Sequence, residues 1–213
     1  MGRQRSPQTS RHPDDASLCS SLARDHERVV LTPSPEAPAP TLTGVVVLVS
    51  EADAVVRRHR DHLDGSAAWG VPAHVTVLFP FAAPQDLDDG ALTALAGAVA
   101  SVPAFEAAFT RTAWFGEDVL WLAPEPAGPF VALTRAVASA FPQHQPYGGA
   151  FDGSAPHLTV GEARLRGRAA LREAERAVLP LLPVSTHVTC AHLLAGTTGP
   201  ASWRVVRELP LGR

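Results

Sequence analysis

Two tripeptides carry residue types suited to proton chemistry: His74-Val75-Thr76 within VPAHVTVLFPF and His157-Leu158-Thr159 within SAPHLTVGEA. Each lies in an apolar run rich in β-branched residues, the pattern of a buried strand. Side chains alternate between the faces of a strand, so a histidine and the threonine two positions on share one face, roughly 6.5 Å apart. Imidazole, with an ordinary pKa near 6.5, gives or takes a proton at neutral pH. A hydroxyl donates to an oxygen that gains charge. Two such faces turned toward each other provide a base, an acid and two neutral donors, which is what in-line attack on a phosphodiester requires. From a symmetric motif alone, either histidine can be the base.

The elements that must position these residues follow a repeated plan. A strand at 45–49 leads to a helix at 51–64, a Gly/Pro-punctuated loop and Ala-His-Val-Thr-Val. A strand at 119–123 leads to a helix at 129–141, a second Gly/Pro-rich loop and Pro-His-Leu-Thr-Val. The matching order reads as a degenerate internal duplication, with two half-sites facing each other across a groove. Further helices are predicted over 87–101 and 166–179, and further strands over 105–114, 183–194 and 203–209. Strands and helices mix without strict alternation, so the fold class is α+β: bilobal, with two pseudo-twofold-related β-sheet lobes and flanking helices. Residues 1–41 are proline-rich, carry charges of both signs and lack an apolar period, which predicts a disordered leader before a domain at 42–213.

Composition narrows the chemistry. The chain has 213 residues, 46% hydrophobic and 18% charged, with a net charge of −3. There is no general basic surface for sequence-blind binding to long nucleic acid. All the basic residues are arginine, which removes lysine Schiff bases and the P-loop lysine. The two cysteines, Cys19 and Cys190, offer neither a disulfide framework nor a CxxC site, in keeping with a cytoplasmic location. No stretch has the ~18 apolar residues of a membrane span.

HVTVLFPF at 74–81 and PHLTV at 156–160 resemble the paired His-x-Thr motifs of the two-histidine phosphoesterases, and specifically the 2′-5′ RNA ligase-like group. The resemblance covers roughly residues 42–210. It implies a bilobal α+β fold, no metal or other cofactor, and action on 2′,3′-cyclic phosphates or 2′-5′ linkages, with RNA-end ligation as the reverse reaction. By the same resemblance His74 and His157 are catalytic, while Thr76 and Thr159 bind phosphate. The partner is then an RNA end or a small nucleotide, and the protein a monomer. Two alternatives stay open: a non-catalytic module that binds RNA ends or nucleotides, and an esterase of a non-RNA cyclic-phosphate metabolite.

Aromatic residues near the motifs are candidates for stacking a base: Tyr147, Phe81 and Phe115, with Phe151 in the same loop as Tyr147. Gly148 and Gly149 would let backbone approach a phosphate. His59 and His62, among Arg57, Arg58, Arg60, Asp61 and Asp64, read as a solvated helix face. His187 is expected to point away from Cys190 and His192, which disfavours a shared metal.

Overall fold

A computed structural model describes residues 38–144 and 155–213. The predicted leader lies almost entirely outside the described residues, as do Tyr147, Gly148, Gly149 and Phe151.

Among the described residues, eight strands form one antiparallel sheet: β1 (Leu42–Leu48), β2 (His74–Leu78), β3 (Phe105–Phe115), β4 (Val119–Glu125), β5 (Leu158–Glu162), β6 (Val184–Val188), β7 (Cys190–Gly196) and β8 (Arg204–Pro210), in the order β6-β3-β4-β5-β2-β1-β7-β8. The two halves therefore meet at β2–β5 and share a single sheet. Among the described residues, five α-helices accompany it: α1 (Ser50–Leu63), α2 (Gly65–Ala68), α3 (Asp89–Ala100), α4 (Gly128–Ala140) and α5 (Ala163–Val178). β1-α1-β2 and β4-α4-β5 occupy corresponding places on either side of the central pair.

Alternation along the strands gives the sheet two different faces. Val45 and Val47 of β1, Val75 and Val77 of β2, Leu120 and Leu122 of β4, and Leu158 and Val160 of β5 join one core with buried residues of α1, α3, α4 and α5. Burying a side chain of this size contributes about 1.5–3 kcal/mol, so this side fixes the register. The intervening residues point the other way. Val46 and Leu194 fall into a second, small cluster with Val71, against which Leu48, Trp69 and Trp203 pack.

The helix boundaries follow local signals. Asp88 caps α3 by accepting from Ala91 N at 2.7 Å, and Pro129 occupies the first turn of α4, where an N–H has no partner to lose. Three expectations need correction. The run 183–194, read as one strand, is two: β6 pairs with β3 and β7 pairs with β1, so the chain changes halves at Thr189. Its uninterrupted apolar alternation hides that step. The last helix begins at Ala163, three residues before the predicted start, with a break at Gly167, whose φ is +79°. Arg60 and Asp64, assigned to a solvated face, are only 3% and 4% exposed.

Gly161 allows the helices to close on the central pair. A Cβ there would lie 2.5 Å from Leu63 Cβ and 2.8 Å from Leu171 Cδ2, jamming the end of α1 and the middle of α5. Overpacking of this kind costs about 1–3 kcal/mol. Gly161→Ala is expected to lower the unfolding free energy by that amount, seen as an earlier midpoint in urea at unchanged slope.

Candidate active site

The register of the central pair builds the site. Val75 pairs with Leu158, both fully buried on the helix side. Carrying the antiparallel register one residue each way sets His74 opposite Thr159 and Thr76 opposite His157. These four side chains are partly exposed and line one cavity of about 670 Å³ on the sheet face away from the main core. Each phosphate-binding threonine assigned from the sequence thus sits across from the other half's histidine.

Both rings are held in the same way. Nδ1–H of His74 donates to the carbonyl of Pro72, and Nδ1–H of His157 to the carbonyl of Ala155, each at 2.8 Å. A carbonyl can only accept, so the proton of the neutral ring is fixed on Nδ1 and the lone pair on Nε2. In both halves the bend of the chain just before the strand supplies this acceptor, two residues upstream of the histidine.

The surroundings of the two rings differ. Burial lowers the pKa of His74, and the Arg60 guanidinium lowers it further, to about 4, against the opposing pull of the Pro72 carbonyl and the Asp64 carboxylate. His157 is lowered by burial, partly offset by the Ala155 carbonyl. Arg60 itself is locked in place. Its Nε donates to Asp64 Oδ2 at 2.9 Å, and its Nη2 reaches Asp64 Oδ2 at 2.8 Å, Ser66 Oγ at 3.1 Å and the Val71 carbonyl at 3.2 Å. Asp64 Oδ1 accepts from Ser66 N at 2.9 Å and so caps α2. Asp64 and Ser66 also line the cavity. This network was missed in the sequence, although the spacing of Arg60 and Asp64 and the Asp-x-Ser after the helix were its only available signs.

Aromatic rings flank the histidines. Phe115, 38% exposed, meets His157 edge-on at 4.9 Å and stacks on Trp121 at 4.8 Å. Trp121 is buried 5.8 Å from His157, and its indole N–H has no partner among the described residues. Phe115 therefore lies where a stacking residue was expected. Phe81 does not: it is 6% exposed in the main core, packed edge-on against Phe141 at 5.0 Å. Its place in β2's continuation turned it inward. At the other end of the cavity stand Trp69, Trp203 and Phe79, none of them picked out from the sequence. His187 lies 3.8 Å from Glu106, while Cys190 Sγ and His192 Nε2 are 3.7 Å apart.

Known proteins share this architecture. No curated protein matches the sequence. Among solved structures, LigT of E. coli in complex with NADP+ superposes with a TM-score of 0.53 at 19% identity, covering 83% of this chain and all of that one. TT0787 of Thermus thermophilus gives 0.57 at 18% identity, over 81% of this chain and 99% of its own. These likenesses establish the fold. The profile of the 2′-5′ RNA ligase superfamily matches residues 48–200, a span that includes both His-x-Thr motifs and the whole central pair. The chain belongs to the 2′-5′ RNA ligase superfamily.

Proposed function

We propose that the protein is a phosphodiesterase that opens 2′,3′-cyclic phosphates by acid–base catalysis between His74 and His157, with Thr76 and Thr159 donating to the non-bridging oxygens. The observation that carries this reading is the exchange of partners across β2–β5, which brings two imidazoles and two hydroxyls to one cavity. One imidazole takes the proton of the attacking water as its oxygen bonds to phosphorus. The other gives a proton to the departing ribose oxygen as the P–O bond breaks. The product is a phosphomonoester with one freed hydroxyl. With an RNA 5′-hydroxyl in place of water, the same groups would form a diester. Hydrolysis prevails because water is abundant. A LigT crystal containing 3′-AMP, a nucleoside monophosphate of the kind such hydrolysis yields, favours this chemistry.

Charge breaks the symmetry of the motif. Arg60 disfavours a proton on His74, so His157 takes one first, and in the hydrolytic direction His74 is the base and His157 the acid. The rate constant kcat/KM follows the unliganded protein. It needs His74 neutral, above about pH 4, and His157 protonated, below its own pKa, which lies under 6.5. A bound anionic phosphate favours the protonated form of both rings.

Four outcomes are expected. His74→Ala and His157→Ala each reduce hydrolysis of a 2′,3′-cyclic nucleotide by about 10²–10⁴-fold, with activity of the parent protein persisting in chelator; full turnover in either variant would refute the assignment. Thr76→Val and Thr159→Val each lower kcat by about 10–10³-fold, as loss of an oxyanion donor does. The kcat/KM profile is a bell with its optimum between about pH 4 and 6.5, and the kcat profile lies at higher pH. NMR titration of the unliganded protein finds His74 protonating at lower pH than His157.

A further inference from the structure

The cavity is chemically lopsided. Around its centre are the histidines and threonines, and toward one end are Trp69, Trp203, Phe79, Val46, Val71 and Leu194. Trp69 and Trp203 lie nearly parallel, with an interplanar angle of 15° and centroids 6.5 Å apart, and the Phe79 ring meets Trp203 edge-on at 5.8 Å. Both indoles remain partly exposed on the cavity side of the sheet, outside the main core.

Their position is built rather than incidental. Trp203 N donates to the Trp69 carbonyl at 3.0 Å, and Ala201 N to the Ala68 carbonyl at 3.0 Å, so the segment before β8 is tied to α2. Trp203 Nε1 donates to the Thr197 carbonyl at 2.8 Å. Its ring lies so close over Gly196 that a Cβ there would sit 2.5 Å from Cγ. The indole edge is thus satisfied and the rings are fixed, leaving apolar surface to whatever occupies that end.

Charge restricts the occupant further. Among the described residues, no arginine lines the cavity. Two carboxylates that line it each engage an arginine: Asp64 holds Arg60, and Glu162 holds Arg164. By sequence, residues 145–154 contain no arginine or lysine. Among the described residues, second and third phosphates, or an RNA backbone, would find no uncompensated arginine lining this cavity.

We propose that Trp69 and Trp203 form a subsite for one uncharged planar ring, so that the preferred substrate is a mononucleoside 2′,3′-cyclic phosphate carrying no further phosphate. This rests on the reading of the catalytic centre given above. Stacking one base on an aromatic side chain is worth about 1–3 kcal/mol, roughly 5–150-fold in kcat/KM.

The test compares four substrates: adenosine 2′,3′-cyclic phosphate, the same compound with a 5′-phosphate, a short RNA ending in a cyclic phosphate, and glycerol 1,2-cyclic phosphate, which lacks a ring. The first is expected to be turned over best. Trp203→Leu and Trp69→Leu are expected to lower kcat/KM for it about 5–150-fold more than for the glycerol compound, chiefly through KM. Adenosine itself should quench tryptophan fluorescence in the parent protein and do so less in both variants. Equal turnover of ringed and ringless substrates, a preference for the RNA or the 5′-phosphate, or unchanged quenching in both variants overturns the proposal. Failure of the parent protein on all four substrates refutes the catalytic reading instead, and adenosine quenching then still decides the subsite.

Discussion

The pairing of β2 with β5 at Val75 and Leu158 is the constraint on which everything else depends. Both residues are buried against the helices, so a slip by one position in either strand would turn its histidine and threonine into the core and bring apolar side chains to the cavity. The cost of that exchange keeps the register single-valued. Because the pair is antiparallel, neither half holds a complete set of groups. The four groups that line the cavity therefore come from both halves of the sheet.

Two backbone carbonyls and one buried ion pair then tune that arrangement. The carbonyls of Pro72 and Ala155 impose the same tautomer on both rings. The ion pair acts on His74, since Arg60 reaches that ring electrostatically while it is held by Asp64, Ser66 and the Val71 carbonyl. A buried pair contributes little net stability when compared with well-packed apolar residues. Its retention here coincides with a second job, since Asp64 also caps α2 and thereby sets the start of the segment carrying Trp69.

Much of this was legible in the sequence because it is periodic. Alternation in HVTVL and LTVGE, together with the repeated strand–helix–loop order, identified the paired histidines, the threonines and most elements to within a few residues. What escaped depends on tertiary context. Phe81 and Phe115 are equally aromatic neighbours of a motif, yet one lies inside the core and the other on the cavity wall. Arg60 and Asp64 sit in a charge-rich helical run that reads as solvated, and only the packing of α1 and α2 buries them. Trp69 and Trp203 are far apart in the chain and meet because β7 and β8 join the same half of the sheet as β1 and β2. The switch at Thr189 leaves no local mark at all.

The ion pairs that Asp64 and Glu162 make at the cavity bear on how the proposed reaction would end. A cyclic diester carries one negative charge, whereas the monoester produced by ring opening carries close to two at neutral pH. Where Asp64 and Glu162 already neutralise the neighbouring cations, the second charge would be met by the imidazolium that proton transfer leaves in the cavity and not by an arginine. Release of the opened product would therefore follow the loss of that proton to solvent.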